Sequence, residues 1–510
     1  MAQQRRVQLS TQRPTSTVCV LGTELSLDLC GSAPKDAVAF HVQGTPGVKL
    51  YVVHETQSIK LPSSVGRWPL AAGTEVLLAM DALSKDVGDE KVGAGVPAGP
   101  NPSLGGGRHL RLIAEVSLDA DISRCGAVSK TLLDKTTWTW GPEGHGAILL
   151  VNCDRDDPDA EMPDNRDAAI CSYADVDFGD ADKVGVFYGG NSTTLEEYKH
   201  VLGGSKLSYA LKPSRHLEES IFYVEGLAFP DVGFSGLVAF HVTLLESPEK
   251  GLLETPIFTD TVVFRMAPWI MTPNTLAPLE VFVCSVDDNE DFVTAVGALA
   301  EKAKSPGGLP SASPSLLQDE VEFGYVQAPH KTFPVVFDSP RDRGLKDFPV
   351  RSILGPDFGY VARQAAEAAS NLDSFGNLEV SPPVTVQGKE FPLGRILIGS
   401  SFPRFGGRRM AKAVKDFLVA QQVQAPVELF SDWLQVGHVD EFLSFVPAPD
   451  RKGFRLLLAS PSACYQLLKE KQEEGFGEAA MFQGLEGVPK PTITEILANE
   501  ELRKFNYYAQ

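Results

Sequence analysis

Residues Ser431 to Phe445 read SDWLQVGHVDEFLSF, a stretch that sets an ionisable pair, His438 and Asp440, inside an otherwise apolar, strand-like run. Strand alternation would turn Val436, His438 and Asp440 to one face and Gly437, Val439 and Glu441 to the other. One face then carries an imidazole, which exchanges protons near neutral pH, beside an anion. The same pattern suits a core histidine paired with a surface aspartate or a proton-transfer couple. What surrounds it bears on the choice.

From about Thr272 onward the chain has a mixed α/β texture. The spacing predicts helices over 289–303 (NEDFVTAVGALAEKA), 408–422 (RRMAKAVKDFLVAQQ), 462–474 and 493–504. Strands are predicted at VEFGYV, FPVVFD, GRILIGS, PVELF, GHVDEFLSFV and GFRLLLAS. Met410, Cys464 and the Leu and Phe positions of the helices are expected to pack in a core. Further upstream, residues 15–120 alternate in short bursts (STVCVLGTELSLDL, GVKLYVV, TEVLLAM, LRLIAEVSLDADI) parted by Gly, Pro and Ser, a spacing that suggests a β-sandwich. Val92 to Gly107 is rich enough in Gly and Pro to be expected as a loop. A second β-rich region follows, with TTWTWG, GAILLVN, KVGVFY, IFYVEGLAF, GLVAFHVTLL and DTVVFRM, ending near Met266 to Trp269.

Between those strands runs an acidic stretch, NCDRDDPD from Asn152 to Asp159, continuing through Glu161, Asp164, Asp167, Asp175, Asp177, Asp180 and Asp182. Carboxylates this dense repel one another unless a hard cation is shared among them, and calcium is the natural candidate. A solvated acidic loop fits the composition equally well. The spacing is not that of an EF-hand, because counting Asp154 as position 1 puts Asp159, not Gly, at position 6 and Asn165, not Glu, at position 12.

At 510 residues the chain is expected to hold about two to four domains, since single cores rarely outgrow roughly 250 to 300 residues. A net charge of −20 argues against binding to phosphate backbones and favours cations or basic partners. The opening MAQQRRVQLSTQRP has basic residues without the apolar run of a secretory signal, and no apolar stretch of roughly 18 residues could span a bilayer. Seven scattered cysteines with no CxxC pair suit reduced thiols in a reducing compartment.

Several long strings, taken together, resemble the calcium-dependent protein-arginine deiminases. They are QDEVEFGY (Gln318 to Tyr325), DSPRDRGLK (Asp338 to Lys346), GPDFGY (Gly355 to Tyr360), LDSFGNLEVSPPV (Leu372 to Val384), PLGRILIGSSF (Pro392 to Phe402), AQQVQAPVEL (Ala420 to Leu429) and the stretch from Ser431 onward. RMAPWIMTPNT (Arg265 to Thr275) and WGPEGHGAILLVNCDRD (Trp140 to Asp156) extend the likeness over nearly the whole chain. The resemblance implies two immunoglobulin-like β-sandwich domains, 1–113 and 114–272, the second with acidic calcium-binding loops. An incomplete α/β propeller of the pentein, guanidino-modifying type would follow at 273–510.

The implied activity is hydrolysis of peptidyl arginine to citrulline and ammonia. A guanidinium is planar and permanently cationic, so two carboxylates can fix it by paired hydrogen bonds. The resemblance assigns that task to Asp319 and Asp440 and acid/base work to His438. Arg341 and Arg343 match residues that hold the substrate's backbone. Several calcium ions are implied: Gln318, Glu322, Phe375, Leu378 and Glu379 match one set, and Glu320, Asp338, Ser339 and Asp342 a second. Asn152, Asp154, Asp156, Asp164, Asp167 and Glu225 match a third. Cytoplasm, with the nucleus as a second compartment, protein substrates with exposed arginine and a head-to-tail homodimer are implied as well, with no direct contact to nucleic acid or membrane.

Three departures from the family pattern stand out. The family's nucleophilic cysteine lies in a later, Arg- and Pro-rich segment that the chain does not reach before Gln510, and none of the seven cysteines matches it. Lys304 to Leu317, KSPGGLPSASPSLL, replaces a stretch expected to hold a strand and a substrate-packing aromatic, and a strand is missing after Cys171. An incomplete propeller would leave sheet edges and apolar faces uncovered, with weak stability or aggregation the expected result. The alternative to an enzyme is a catalytically silent calcium-binding protein. A zinc hydrolase centred on His438 and Asp440 lacks a second suitably spaced His or Cys ligand.

Overall fold

The structure is a computed structural model that describes residues 5–9, 15, 17–54, 57–61, 68–80, 90–95, 108–111, 116–128, 134–155, 171–172, 180–246, 254–302, 311–312, 317–362, 369–450 and 452–508, apart from 34, 36, 46, 141–143, 191, 193–196, 212–218, 279, 287, 342–343 and 346 within those spans. The chain forms two compact units. One comprises Met1–Ile122, Ala127–Trp138 and Ala239–Val263; the other comprises Ser123–Gly126, Thr139–Val238 and Phe264–Gln510.

In the first unit, a five-stranded sheet runs in the order Arg5–Gln8, Glu24–Asp28, Glu75–Met80, Val48–His54, Gln57–Leu61, and a four-stranded one in the order Trp68–Pro69, Ala39–Gly44, Glu90–Gly95, Arg108–Arg111. Alternation sets their faces. In Glu75–Met80, Val76, Leu78 and Met80 are buried while Glu75, Leu77 and Ala79 are half-buried. Those side chains share one core with Leu25, Leu27, Leu50 and Val52 of the same sheet and Phe40 and Val42 of the other.

Two expectations fail here for a common reason, that partners elsewhere in the chain decide backbone pairing. Residues 90–95, which overlap the expected Gly/Pro loop, form a strand because Ala39–Gly44 and Arg108–Arg111 pair with it on both sides. Conversely, 116–121 and TTWTW at 136–140 lie outside any strand. Side chains take up the backbone there: Leu118 N donates to Asp260 Oδ2 at 2.7 Å, and Lys135 Nζ donates to Leu118 O at 2.8 Å and to Asp260 Oδ2 at 2.5 Å.

The second unit centres on a five-stranded sheet in the order Cys171–Ser172, Gly359–Ala362, Lys331–Asp338, Val321–Ala328, Ile270–Met271. The central hairpin pairs Val321 with Asp338 and Glu322 with Phe337, which brings both ends of the acidic QDE and DS segments together. A smaller sheet, Leu378–Val380, Ile396–Ser400 and Val427–Phe430, lies downstream. Phe337 stacks on Phe375 at 5.1 Å and on Phe417 at 4.9 Å, with Trp269 at 5.2 Å, so one aromatic cluster ties the hairpin to the turn at Phe375 and the helix Lys412–Ala420. The buried amides of Gln421 and Gln424 satisfy the neighbouring backbone: Trp269 N donates to Gln421 Oε1 at 3.0 Å and Met271 N to Gln424 Oε1 at 2.7 Å.

Helix limits differ from expectation at the capping points. The expected helix at 408 begins at Lys412, because Arg408 N is bonded to Asp432 Oδ2 and Arg408 O accepts from Ser401 N. The last helix breaks at Asn499 into Ile493–Ala498 and Glu500–Tyr508, the first capped by Thr492 and Glu495 in a reciprocal box. Met410 is buried as expected, but Cys464 is exposed on the helix Pro461–Lys471, where only Leu468 is buried.

Leu456, Leu457 and Leu458, at 49%, 53% and 62% exposure, lie on Phe454–Leu458, the outer strand of a two-stranded hairpin with Leu443–Pro447. Exposed apolar edge strands template aggregation. Replacing Leu457 and Leu458 by Lys is expected to lower light scattering on warming to 37 °C while the melting transition is retained; unchanged scattering would show that this edge does not drive association.

Candidate active site

Four segments of the second unit meet at one point. Asp319 sits on the short helix Leu317–Glu320 that leads into Val321–Ala328, and it is 9% exposed. Phe375–Asn377 forms a single 3₁₀ turn, anchored on one side by the buried Phe375 ring and on the other by Asn377, whose Nδ2 donates to Leu372 O at 3.0 Å and Gly399 O at 2.9 Å. Asn371–Asp373, capped by Ser370, precedes it. The fourth segment carries His438 and Asp440.

That last segment is not a strand. The ladder begins only at Leu443, and residues 431–442 form turns, with Gly437 at φ +99°. Side-chain groups have taken over the backbone: Glu441 Oε1 accepts from both Gly437 N and His438 N at 2.8 Å, and Arg408 donates to the carbonyls of Leu434, Gln435 and Val436 at 2.6, 2.9 and 2.8 Å. His438 and Asp440 still face one another, through turn geometry instead of strand alternation.

His438 is buried, and its Nε2 lies 2.8 Å from Asn371 O. A carbonyl only accepts, so Nε2 carries the hydrogen and Nδ1 is the atom left for chemistry. Nδ1 lies 3.7 Å from Asp319 Oδ1 and 3.9 Å from Asp440 Oδ1, distances too long for direct hydrogen bonds. The three groups therefore look into a shared space. Its floor is Gly376: a methyl group built on its Cα would lie 2.6 Å from His438 Nδ1, 2.7 Å from Asp440 Oδ2 and 3.2 Å from Asp319 Oδ1.

The field of this space is strongly negative. Burial, helped by the charges of Asp319 and Glu441, raises the Asp440 carboxyl above its ordinary range against the pull of His438. Glu379 is raised by burial and by Asp440, opposed by hydrogen bonds from Val380 N and Asn274 Nδ2. Glu322 is pushed well above the ordinary value, first by burial and then by Glu379 and Asp440, against a bond from Phe323 N. A bound cation would relieve all three.

Of the expected cation ligands, Glu322 and Glu379 are thus electrostatic neighbours, and Phe375 and Leu378 lie buried on the same turn, with Leu378 N donating to Phe375 O. In the second set, Glu320, Asp338 and Ser339 are buried together: Ser339 N donates to Glu320 O at 2.8 Å, Leu345 N to Glu320 Oε2 at 3.2 Å and Tyr360 Oη to Asp338 Oδ2 at 2.6 Å. In the third, Asn152 Nδ2 donates to Glu225 Oε2 at 3.2 Å and Asp154 Oδ2 accepts from Asp357 N at 2.9 Å. Arg341 reaches Ser374 Oγ at 2.9 Å, one residue before the Phe375 turn. Arg343, Asp342, Asp156, Asp164, Asp167, Asp175, Asp177 and the side chain of Gln318 lie outside the described residues, as does most of Lys304 to Leu317. Among the described residues no three His, Cys, Asp or Glu side chains are arranged to hold a metal by themselves. Gly376, Asn371, Glu441, Arg408 and Asn274 were not singled out from the sequence. Four of them, all but Asn274, act through backbone geometry or backbone partners, and no residue pattern signals that.

A buried imidazole with one free nitrogen between two carboxylates is an acid/base site suited to a planar cation. The family model of protein-arginine deiminases matches residues 256–510, that of their N-terminal domain 1–94, and that of their middle domain 114–177 and 174–246. Human protein-arginine deiminase type-1 is 49% identical over 100% of this chain and 82% of its own length; human type-3 is 48% identical and human type-4 47%, each over the same shares. The chain belongs to the protein-arginine deiminase family, and that is its enzyme class.

Gly376→Ala is expected to cut binding or turnover of benzoyl-arginine amide about 100-fold by filling the shared space, with little change in melting temperature. Retained binding would mean that the ligand does not sit over this glycine. A second outcome concerns pH. Glu322 binds its proton more tightly folded than unfolded, so stability falls as pH rises from its ordinary value through the raised one. Glu322→Gln in chelator should therefore melt about 2 °C or more above wild type at pH 8, a gap that closes toward pH 4. A gap independent of pH would remove the buried charge as its cause.

Proposed function

We propose that this chain binds the guanidinium of a peptidyl arginine between Asp319 and Asp440 and converts it to citrulline and ammonia with His438 as proton carrier, under calcium control. The observation that carries this reading is the space over Gly376, on which Asp319 Oδ1, Asp440 Oδ2 and His438 Nδ1 converge. A guanidinium brings five N–H donors and a fixed positive charge to a place lined by acceptors, among them the Asp440 carboxyl, which burial raises first and the charges of Asp319 and Glu441 raise further. Hydrolysis replaces one nitrogen with oxygen from water. In its imidazolium form His438 would give the Nδ1 proton to the departing nitrogen and, then neutral, take one from the attacking water, while Nε2–H stays fixed on Asn371 O. None of the seven cysteines of this sequence matches the family's nucleophile, so Asp319, Asp440 and His438 account for guanidinium binding and proton transfer and not for the attacking thiolate.

Calcium fits the donors present, because the half-buried Glu322 and the buried Glu379 are neighbouring acids that the carbonyls of Phe375 and Leu378 would join, and hard oxygen ligands are what that ion takes. When bound it would supply positive charge beside the catalytic carboxylates. Glu320, Asp338, Ser339 and Asp342 would hold a further ion, and Asn152, Asp154, Asp156, Asp164, Asp167 and Glu225 others. Gln318 would join the first set. Arg341 and Arg343 would hold the substrate backbone. The finer fold reading follows the same line, with immunoglobulin-like sandwiches and part of a pentein propeller supported by the succession of family domain matches. The compartment proposed is cytoplasm or nucleus, and the assembly a homodimer. Among the described residues no helix is long and apolar enough to cross a membrane.

The second reading, a silent calcium-binding deiminase relative, is favoured by the cysteine complement: Cys464, on the helix Pro461–Lys471, is an exposed thiol that matches no family nucleophile. The two readings part in one assay. Citrulline formed from benzoyl-arginine amide with calcium and not with chelator supports the enzyme; calcium-dependent binding of that ligand without citrulline supports the silent protein. Neither binding nor turnover at any calcium level would overturn both.

A further inference from the structure

We propose that Arg408 is a positioning residue: its guanidinium organises the turn Asp432–Gly437 and so delivers His438 and Asp440 to the shared space. The turn has lost the strand ladder and must satisfy its carbonyls otherwise. Arg408 does this for four of them. Nε donates to Asp432 Oδ1 at 2.6 Å, NH1 to Gln435 O at 2.9 Å and Val436 O at 2.8 Å, and NH2 to Leu434 O at 2.6 Å and Asp432 O at 3.4 Å. All five donors of a rigid planar fork are used, four of them on carbonyls of one short turn. The arginine backbone is held in register too, with Arg408 N on Asp432 Oδ2 at 3.2 Å and Ser401 N on Arg408 O at 3.1 Å.

The turn's geometry answers the fork. Gly437 adopts φ +99°, and a Cβ added there would lie 3.1 Å from Arg408 NH2, so the chain reverses directly against the guanidinium. On the far side of that reversal, Glu441 Oε1 collects the Gly437 and His438 N–H groups. Carbonyls are gathered by a cation and amides by an anion, with His438 immediately after the glycine. Lysine could match the charge but not the five directed bonds. Val436, the last carbonyl held, is two residues from His438, so loss of the fork would displace the imidazole relative to Asp319, which rides on a different segment.

The test compares wild type, Arg408→Lys and Arg408→Ala by hydrogen exchange of 431–441 and by titration with benzoyl-arginine amide in calcium. Both variants should exchange faster in 431–441 and bind the amide about tenfold or more weakly, with exchange in Val321–Ala328 and the melting temperature retained. Wild-type exchange and affinity in Arg408→Lys would overturn the role of the fork, because charge alone would then suffice. Should both variants unfold, Asp432→Asn, which keeps the carbonyl bonds, is expected to loosen 431–441 partially; no loosening there would overturn the proposal. The ligand arm rests on the deiminase reading, whose failure shows separately as absent binding by wild type, while loop exchange still decides the role of Arg408.

Discussion

Like charges held close together out of water dominate this molecule. Burial is the main cause that raises the proton affinity of Glu322, Glu379 and Asp440; Glu379 and Asp440 add to it at Glu322, Asp440 adds to it at Glu379, and Asp319 and Glu441 add to it at Asp440. Such an arrangement is costly in a folded chain without a cation, and it persists because four separate segments are fixed independently of one another. Phe375 is pinned in the aromatic cluster of Trp269, Phe337 and Phe417. Asp319 follows the hairpin register, and His438 and Asp440 follow a turn tied by Arg408 and Glu441.

The arrangement also separates two tasks of one imidazole. Nε2 is committed to a backbone carbonyl, which orients the ring and leaves Nδ1 facing the carboxylates. Asn371 can play this part because Ser370 and Asp373 cap its short helix and Asp373 in turn accepts from Ala411 N at 2.5 Å. Orientation of the imidazole thus rests on backbone anchored well outside the site, a way of building precision that places little demand on the residue supplying the carbonyl.

Much of this was legible in the chain itself. The patterns TEVLLAM, VEFGYV and FPVVFD predict strands that the structure contains, and Asp319, His438 and Asp440, named from the sequence, lie close together. Other expectations failed where pairing is non-local. Residues 90–95 became a strand because neighbours flank them on both sides, 116–121 lost one to Asp260 and Lys135, and Cys464 is exposed on a helix whose pattern suggested a core.

By itself, the sequence determined the chemical inventory and the local order: which segments alternate, which acids cluster, and which imidazole stands beside which aspartate, since periodicity and composition are properties of neighbours along the chain. Only the tertiary structure decided that His438 and Asp440 meet through a turn, that Gly376 must lack a side chain, and that Arg408 and Asn371 orient the site. These depend on contacts between residues tens of positions apart, such as Gly376 with Asp319 and Asn371 with His438, whose geometry is set by packing that no local pattern encodes.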